Sequence, residues 1–431
     1  MTAEVSNPPH AVAAARPLPL KRHVAAVVVG NALEFYDFLT YAFFAIYIGQ
    51  TFFPSENATS SLLLSLATFG AGFITRPIGG VVIGSLGDRI GRRPAMFLSF
   101  SLMGAAIVGV ACTPSYASIG VAAPLLVLFF RLLQGFALGG EVGPTTAFLI
   151  EAPPPENRGF YGALQSGSQY ASTFVAGVVG TGLAWALPPA DLASWGWRAA
   201  FLIGAAIVPF GLLIRRSLPE TMHVAAPEDL GAAALMRKHA GDAVFGLLLL
   251  AYATIATYVI LYLATYAQHT LHMSARYAFG STLLIGLCGA IFGPLGGIVS
   301  DRVGRRPVMI GSALVLLVIT IPGFLLLNEL RTGWMLLVMS AGLTAVFAFG
   351  GAMTIVTTTE LMPPRIRSAA TATVYALSIA VFGGSAQYIV AWVTDRTGDA
   401  IAPAYYMTIA IVVGLITMLF VRETAPARRK P

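Results

Sequence analysis

Twelve stretches of this chain run for about twenty residues with almost nothing but apolar side chains, and no fold can ignore them. A helix needs roughly 20 apolar residues to cross the ~30 Å hydrocarbon core of a bilayer. The stretches lie at 24–48, 62–84, 95–114, 121–149, 160–186, 197–214, 243–268, 278–299, 307–327, 333–359, 368–393 and 402–421. Of 431 residues, 57% are hydrophobic and only 10% charged, more apolar surface than a soluble core of this size can hide. Inside a bilayer the backbone must satisfy its own hydrogen bonds, and runs of this length do so as helices. The expected fold class is therefore an all-α membrane protein with twelve transmembrane helices. Residues 1–23 and 423–431 read as cytoplasmic tails, and residues 1–20 carry no signal-peptide pattern. Residues 215–242, the longest polar stretch, read as a cytoplasmic linker between six-helix domains at 24–214 and 243–422.

Charge placement fixes the expected orientation. The net charge is +7, yet the basic residues fall in short clusters between apolar runs, which argues for topology and against nucleic acid. With the N-terminus inside, 20 of the 26 Lys and Arg face the cytoplasm and four face out, so both termini are expected there. The two cysteines, Cys112 and Cys288, fall within apolar runs and offer neither a disulfide framework nor metal-ligand spacing. No metal site or cofactor is expected.

The chain also repeats itself. "GSLGDRIGRRP" at 84–94 returns as "GIVSDRVGRRP" at 297–307, with Asp88 and Asp301 213 residues apart. "EAPPPENRG", from Glu151 to Arg158, is echoed by "ELMPPRIRS", from Glu360 to Arg367. A weaker echo pairs "LPET" at 218–221 with "VRET" at 421–424. Matches at equivalent inner junctions specify a duplicated six-helix unit with both copies in one orientation. Parallel repeats suit alternating access by rocking about a midplane site. The loops are expected to act as latches, each pairing with the opposite half and releasing as the halves rock. Their residues are Asp88, Arg89, Arg92 and Arg93 in the first half and Asp301, Arg302, Arg305 and Arg306 in the second. Glu151, Arg158, Glu360 and Arg367 belong to the same system. Acids contribute little to orientation, so the Asp residues need a reason beyond topology.

The doubled "GxxxDRxGRR" loop resembles the signature loop of the major facilitator superfamily, and "RLLQGFALGG" resembles its second motif. "GNALEFYDF", "RPIGG", "NRGFYGALQSGSQ" and "WGWR" are similar to the metabolite–proton symporter branch, which includes citrate, 2-oxoglutarate, shikimate and proline/betaine importers. "RLLQGF…NRGFYGALQSGSQ" with "VFGGSAQ" is most similar to citrate–proton symporters. "GAIFGPLGG" at 289–297 matches a drug–proton antiporter pattern, but in the eighth span rather than the fifth, and reads as close helix packing.

Five ionisable residues fall inside the spans: Glu34, Asp37, Arg76, Arg131 and Glu141, all in the first half. Each costs about 2.5–3.5 kcal/mol on insertion scales, so each is a functional candidate. At 1.5 Å per residue, Asp37, Arg131 and Arg76 land near mid-depth. Asn31, Glu34, Asp37 and Tyr41 form one stripe of the first span; Arg131, Gln134 and Glu141 share a face of the fourth. A buried ion pair that only locks packing is the competing reading, weakened because such pairs stabilise poorly. In sugar–proton relatives a first-helix acid pairs with a fourth-helix Arg, and the resemblance places Asp37 and Arg131 there. The expected mechanism has Asp37 or Glu34 taking a proton and freeing Arg131 for an anion. Arg76 serves as a second carboxylate clamp or as a structural tie beside Pro77. Glu141 is a further proton site or a latch partner. Neutral substrate contacts are expected from Gln165, Gln169, Tyr258 and Tyr262, with Asn31 and Tyr41 beside the charges. Hydroxyls at Thr254, Thr257, Thr354, Tyr375 and Ser378 form a wider set.

The function expected is a proton symporter for a small polycarboxylate, citrate-like first and 2-oxoglutarate-like second. A zwitterionic osmolyte such as proline or betaine is the alternative, and a drug–proton antiporter a weaker one. No HExxH, phosphate loop or Ser–His spacing supports an enzyme. The protein is expected to be a monomer in a bacterial inner membrane, its partners being an organic anion, protons and lipid.

Overall fold

In the computed structural model, residues 20–90, 92–139, 142–216, 235 and 237–428 are described. Glu141 and most of the 215–242 stretch lie outside them, as do the side chains of Asp37, Asp88, Arg89, Arg92 and Arg93. Each of the twelve predicted spans coincides with a helix or a pair of helical pieces. The first half contains α1 (Leu20–Phe43, resuming as Ala45–Phe52), α2 (Ala58–Ala71 and Arg76–Ile90) and α3 (Arg92–Cys112). It continues with α4 (Ala122–Leu138 and Val142–Glu151), α5 (Arg158–Ala186) and α6 (Trp197–Arg216). The second half contains α7 (Ala240–His269), α8 (Ala275–Val303), α9 (Arg305–Leu330) and α10 (Gly333–Leu361). It ends with α11 (Arg367–Ser378, a π turn at Ile379–Gly383, then Gly384–Thr397) and α12 (Ala402–Phe420).

Among the described residues, eight helical segments are long and apolar enough to cross a membrane unaided. Of the other four spans, α1, α3 and α6 include side chains outside the described set, and α5 is rich in Gly, Ser and Gln. Outward faces are apolar, with Val81, Trp334 and Phe420 each more than 70% exposed, as lipid-facing positions require.

The halves meet most extensively where α5 lies against α8. Without a hydrophobic drive between helices in lipid, small residues permit the approach. Gly286 admits the backbone of Phe174, Gly289 the ring of Tyr170, and Gly297 the carbonyl of Gly159. Gly296 faces the carbonyl of Phe349 within the second half. The glycines of "GAIFGPLGG" are therefore packing residues. α2 also meets α11, where Gly70 and Gly384 touch backbone to backbone.

Several helices run past their predicted ends. Asp301 falls in the last turn of α8 and Glu360 in that of α10, so the second half does bury charge, at its Arg-rich end rather than at mid-depth.

Candidate functional site

A cavity of about 90 Å³ lies between the halves. α5 contributes Gln165, Gln169, Tyr170 and Thr173, α7 contributes Thr254, Thr257 and Tyr258, and α11 contributes Tyr375. Gln165, Gln169 and Thr173 are four residues apart and share one face of α5. The Tyr375 hydroxyl lies against Gln165 and Gln169, and that of Tyr170 against Thr257, so both pairs bridge the halves. The Gln165 amide nitrogen finds no hydrogen-bond partner among the described residues.

Behind this neutral chamber stands a wall of rings. Phe73 meets Tyr258 edge-on at 5.8 Å, and Phe69 meets Tyr258 at 6.1 Å. Phe38 packs on Phe69 at 4.9 Å and on Phe73 at 4.7 Å. The two mid-membrane arginines occupy the far side. Arg76 holds its guanidinium carbon 4.6 Å from the Phe38 centroid and 4.7 Å from that of Phe73. Arg131 stacks on Phe38 at 4.8 Å, Tyr41 at 4.4 Å and Phe69 at 5.1 Å. It also donates from Nη1 to Gln134 at 2.5 Å and from Nη2 to the Phe69 carbonyl at 3.5 Å.

That carbonyl is available because α2 breaks. Between its two pieces, Phe73 and Ile74 donate to residues three back rather than four, giving a 3₁₀-like turn. Thr75 fills the gap by donating to the Leu132 carbonyl at 2.7 Å. The break starts the second piece of α2 at Arg76, which is 4% exposed. Arg76 lies within electrostatic reach of Glu34, itself buried at 3%, and of Tyr258 and Tyr375. Its Nε and Nη2 have no hydrogen-bond partner among the described residues. Those two nitrogens form one edge of the guanidinium, the edge that grips a carboxylate with two parallel bonds.

The expected site residues thus divide. Gln165, Gln169 and Tyr258 line the cavity; Arg76 and Arg131 converge on one ring behind it. Asn31 instead ties α1 to α5, donating to the Gln165 carbonyl at 3.1 Å and to Ser168 at 2.7 Å. Tyr41 lies under Arg131 and donates to the Ser65 carbonyl at 3.4 Å. Tyr262 packs beside Tyr266, away from the chamber, because the cavity takes only one face of α7. Tyr170 lines the chamber although it is uncharged and falls one residue beyond the "NRGFYGALQSGSQ" stretch that marks Gln165 and Gln169. Glu141 and the Asp37 side chain lie outside the described residues.

The second-half latch is fully drawn at the Arg-rich end. Asp301 accepts from the backbone N–H of Gly159 at 2.7 Å and of Phe160 at 3.0 Å. These are first-turn donors of α5, so an acid of the second half caps a helix of the first and meets its positive dipole end. Arg305, 0% exposed, donates to Asp301 at 2.7 Å and to Ser300 at 2.8 Å. Its Nε and Nη2 grip Glu360 at 3.3 and 3.1 Å. Arg305 was expected to reach the opposite half; it acts within its own, and the crossing contact is the helix cap. Gly304 has φ +108°, the left-handed turn that separates Asp301 from Arg305. Arg306 donates to the carbonyls of Met418 and Leu419, and Arg302 is exposed. Glu151 does cross, accepting from Arg367 at 2.6 Å, whereas the buried Nε of Arg158 has no hydrogen-bond partner among the described residues. The first-half loop lies outside the described side chains.

At the opposite end, Tyr47 donates to Gln268 at 3.1 Å, Thr59 meets His269 at 3.2 Å, and Phe44 packs on Phe279 at 4.8 Å. The halves therefore touch above and below the cavity, as in an occluded carrier.

Comparison with known proteins agrees with this architecture. The family model described as Major Facilitator Superfamily matches residues 27–378. The chain is 37% identical to the citrate-proton symporter of Klebsiella pneumoniae over 94% of this chain and 92% of that one. It is 33% identical to the proline/betaine transporter of Escherichia coli (strain K12), over 94% and 84% respectively. The partially occluded inward-open structure of the xylose transporter XylE from E. coli superposes with TM-score 0.77 at 18% identity, covering 94% of this chain and 98% of that one, a likeness of fold. With its family match, its relatives and its twelve-helix fold in agreement, this chain belongs to the Major Facilitator Superfamily and is a multi-pass membrane transporter, not an enzyme.

Proposed function

We propose that this transporter imports a small organic polycarboxylate together with protons, citrate-like first and 2-oxoglutarate-like or another dicarboxylate second. The observation that carries this reading is the Arg76 edge, a buried guanidinium with two donors that no described residue meets, beside a chamber of amides and hydroxyls. A carboxylate supplies what that edge lacks, and Gln165, Gln169, Tyr258 and Tyr375 suit its remaining oxygens. The name of the 37% identical relative supports citrate. That of the 33% identical relative supports the alternative, a zwitterion whose single carboxylate would meet the same arginine.

Coupling follows from charge. An inside-negative potential opposes anion entry by about 2.3 kcal/mol per charge per 100 mV, so accumulation requires protons that at least cancel the charge. Protonation of Asp37 or Glu34 removes a negative charge that competes for the arginines, and the anion then replaces it. Proton and anion binding are thereby mutually favourable, a reciprocity that linkage demands. Glu141 is kept as a further proton site or a latch partner. In this reading both termini and the 215–242 linker face the cytoplasm of a bacterial inner membrane, the two six-helix units rock about the chamber, and the carrier works as a monomer.

The test is uptake of radiolabelled citrate into proteoliposomes, with and without an inward proton gradient. Gradient-driven accumulation that Arg131→Ala abolishes is the expected result. Accumulation of betaine instead of citrate would sink the polycarboxylate assignment. Normal transport by Arg131→Ala would sink the charged site.

A further inference from the structure

Phe73 occupies an unusual position for an apolar side chain. It belongs to the first half but is clasped by the second: its ring meets Tyr258 of α7 at 5.8 Å and 88°, and a Cβ added to Gly384 of α11 would stand 3.2 Å from its Cδ2. It lies in the interruption of α2, where the i−4 ladder gives way to i−3 bonds, and is 0% exposed. Within the first half it meets Phe38 at 4.7 Å, Phe69 at 5.4 Å and the guanidinium of Arg76 at 4.7 Å. With the chamber closed, Arg76 is a buried cation whose Nε and Nη2 meet no hydrogen-bond acceptor among the described residues. Its compensation comes from the field of Glu34 and from the faces of Phe38 and Phe73.

A symporter must pass through the occluded state twice per cycle, once loaded and once empty. In the loaded passage a substrate carboxylate occupies the Arg76 edge. In the empty passage no substrate does; the field of Glu34 reaches the guanidinium, but no described residue hydrogen-bonds its Nε–Nη2 edge, and a cation so incompletely compensated raises the barrier. An aromatic face supplies a weaker, non-directional partner that can be exchanged for a carboxylate without breaking a salt bridge. Phe73 is held by Tyr258 of α7 and Gly384 of α11 as well as by Phe38 and Phe69, so its ring is clamped against Arg76 from both halves only while they are together at that level.

We propose that Phe73 is a positioning residue for the empty carrier: it holds Arg76 in the substrate-free occluded state and yields it to a carboxylate when α2 parts from α7 and α11. This rests on the reading that Arg76 receives a substrate carboxylate.

Net uptake and exchange separate the two passages. Proton-driven net uptake requires the empty return; exchange of external labelled for internal unlabelled substrate does not. Wild type, Phe73→Leu and Phe73→Tyr in proteoliposomes are compared with citrate, 2-oxoglutarate and betaine. Phe73→Leu is expected to lower net uptake about tenfold, the scale of a desolvated cation–π contact, while exchange stays within about twofold. Phe73→Tyr, which restores the ring face, is expected to keep both. Equal loss of uptake and exchange, or loss of neither, overturns the proposal. Phe73→Met, bulky and without a ring, repeats the test independently of how well the Leu variant folds. If wild type carries only betaine, the polycarboxylate reading falls, and the uptake-to-exchange ratio measured with betaine still decides the role of Phe73.

Discussion

Arg76 and Arg305 are withdrawn from solvent to nearly the same degree, 4% and 0% exposed, in surroundings that differ in kind. Arg305 meets Asp301 and Glu360, and its Nε–Nη2 edge lies along the Glu360 carboxylate at 3.3 and 3.1 Å. The same edge of Arg76 has no hydrogen bond among the described residues and faces rings instead. One arginine is completed by its own chain, so it fastens. The other has an edge that no described residue hydrogen-bonds, the ground for proposing that it receives a substrate carboxylate. Arg305 with Glu360 thus displays, within this molecule, the geometry that a substrate carboxylate would adopt on Arg76.

The comparison breaks first at Arg305. Arg305→Met strands two buried carboxylates and is expected to lower folding stability by about 3–5 kcal/mol, the usual loss when one partner of a buried ion pair is removed. Thermal unfolding of the purified protein in detergent reads this. A melting temperature within a degree of wild type would show that the network is not structural. The same measurement on Arg76→Met is expected to show no loss, since that substitution removes a desolvated charge and leaves no carboxylate bound to it by a hydrogen bond among the described residues.

Transport inverts the order. Arg76→Met is expected to reduce kcat/KM for uptake by about a hundredfold, corresponding to two charge-assisted hydrogen bonds to one carboxylate. Arg76→Lys keeps the charge but not the paired edge, and is expected to recover little. A lysine variant with wild-type kinetics would mean that only charge, not the fork, is read.

The repeat, the helices and the candidates were legible because each leaves a linear signal. Apolar runs have a length, the latch loops recur in register, and a charge inside an apolar run is visible at once. Arg76, Arg131, Gln165, Gln169 and Tyr258 were found this way. The aromatic wall was not, because Phe38, Phe69 and Phe73 look like any lipid-facing residues until the packing of α1 on α2 and the break at Phe73 bring their rings together. The partner of Asp301 was hidden for a different reason: a latch that pairs with the opposite half is legible in the repeat, but the backbone N–H groups that Asp301 meets there carry no sequence letter. Asn31 and Tyr41 lie on the predicted stripe but turn towards α5 and α2, a choice of neighbour that periodicity does not encode.

Asp301 sharpens the contrast at a smaller scale. Asp301→Asn keeps an acceptor but removes the charge that meets the α5 dipole, a loss of about 1 kcal/mol. It is expected to shift the carrier several-fold towards opening at the Arg-rich end. Labelling of a cysteine introduced at Ser166, which lines the chamber, reads this with a reagent applied from that side. Unchanged labelling would mean that the cap does not hold the halves together.

The smallest effect is expected at Glu151 and Arg367, although this pair crosses between the halves at 2.6 Å, shorter than any link Arg305 makes to a carboxylate. The Glu151 side chain is 45% exposed, so water and salt screen it and side-chain entropy offsets the attraction. A double-mutant cycle with Glu151→Gln and Arg367→Gln is expected to give a coupling below about 1 kcal/mol that fades at high ionic strength. Arg367→Gln alone should do more harm than Glu151→Gln, because Arg367 also donates to the carbonyls of Thr359 and Met362. A coupling as large as that of the Arg305 network would mean that a rim pair, rather than burial and helix capping, holds this end shut. Distance is then the wrong guide to strength here: the longer bonds of Arg305 are made where water cannot compete, and the shorter bond of Arg367 is made where it can.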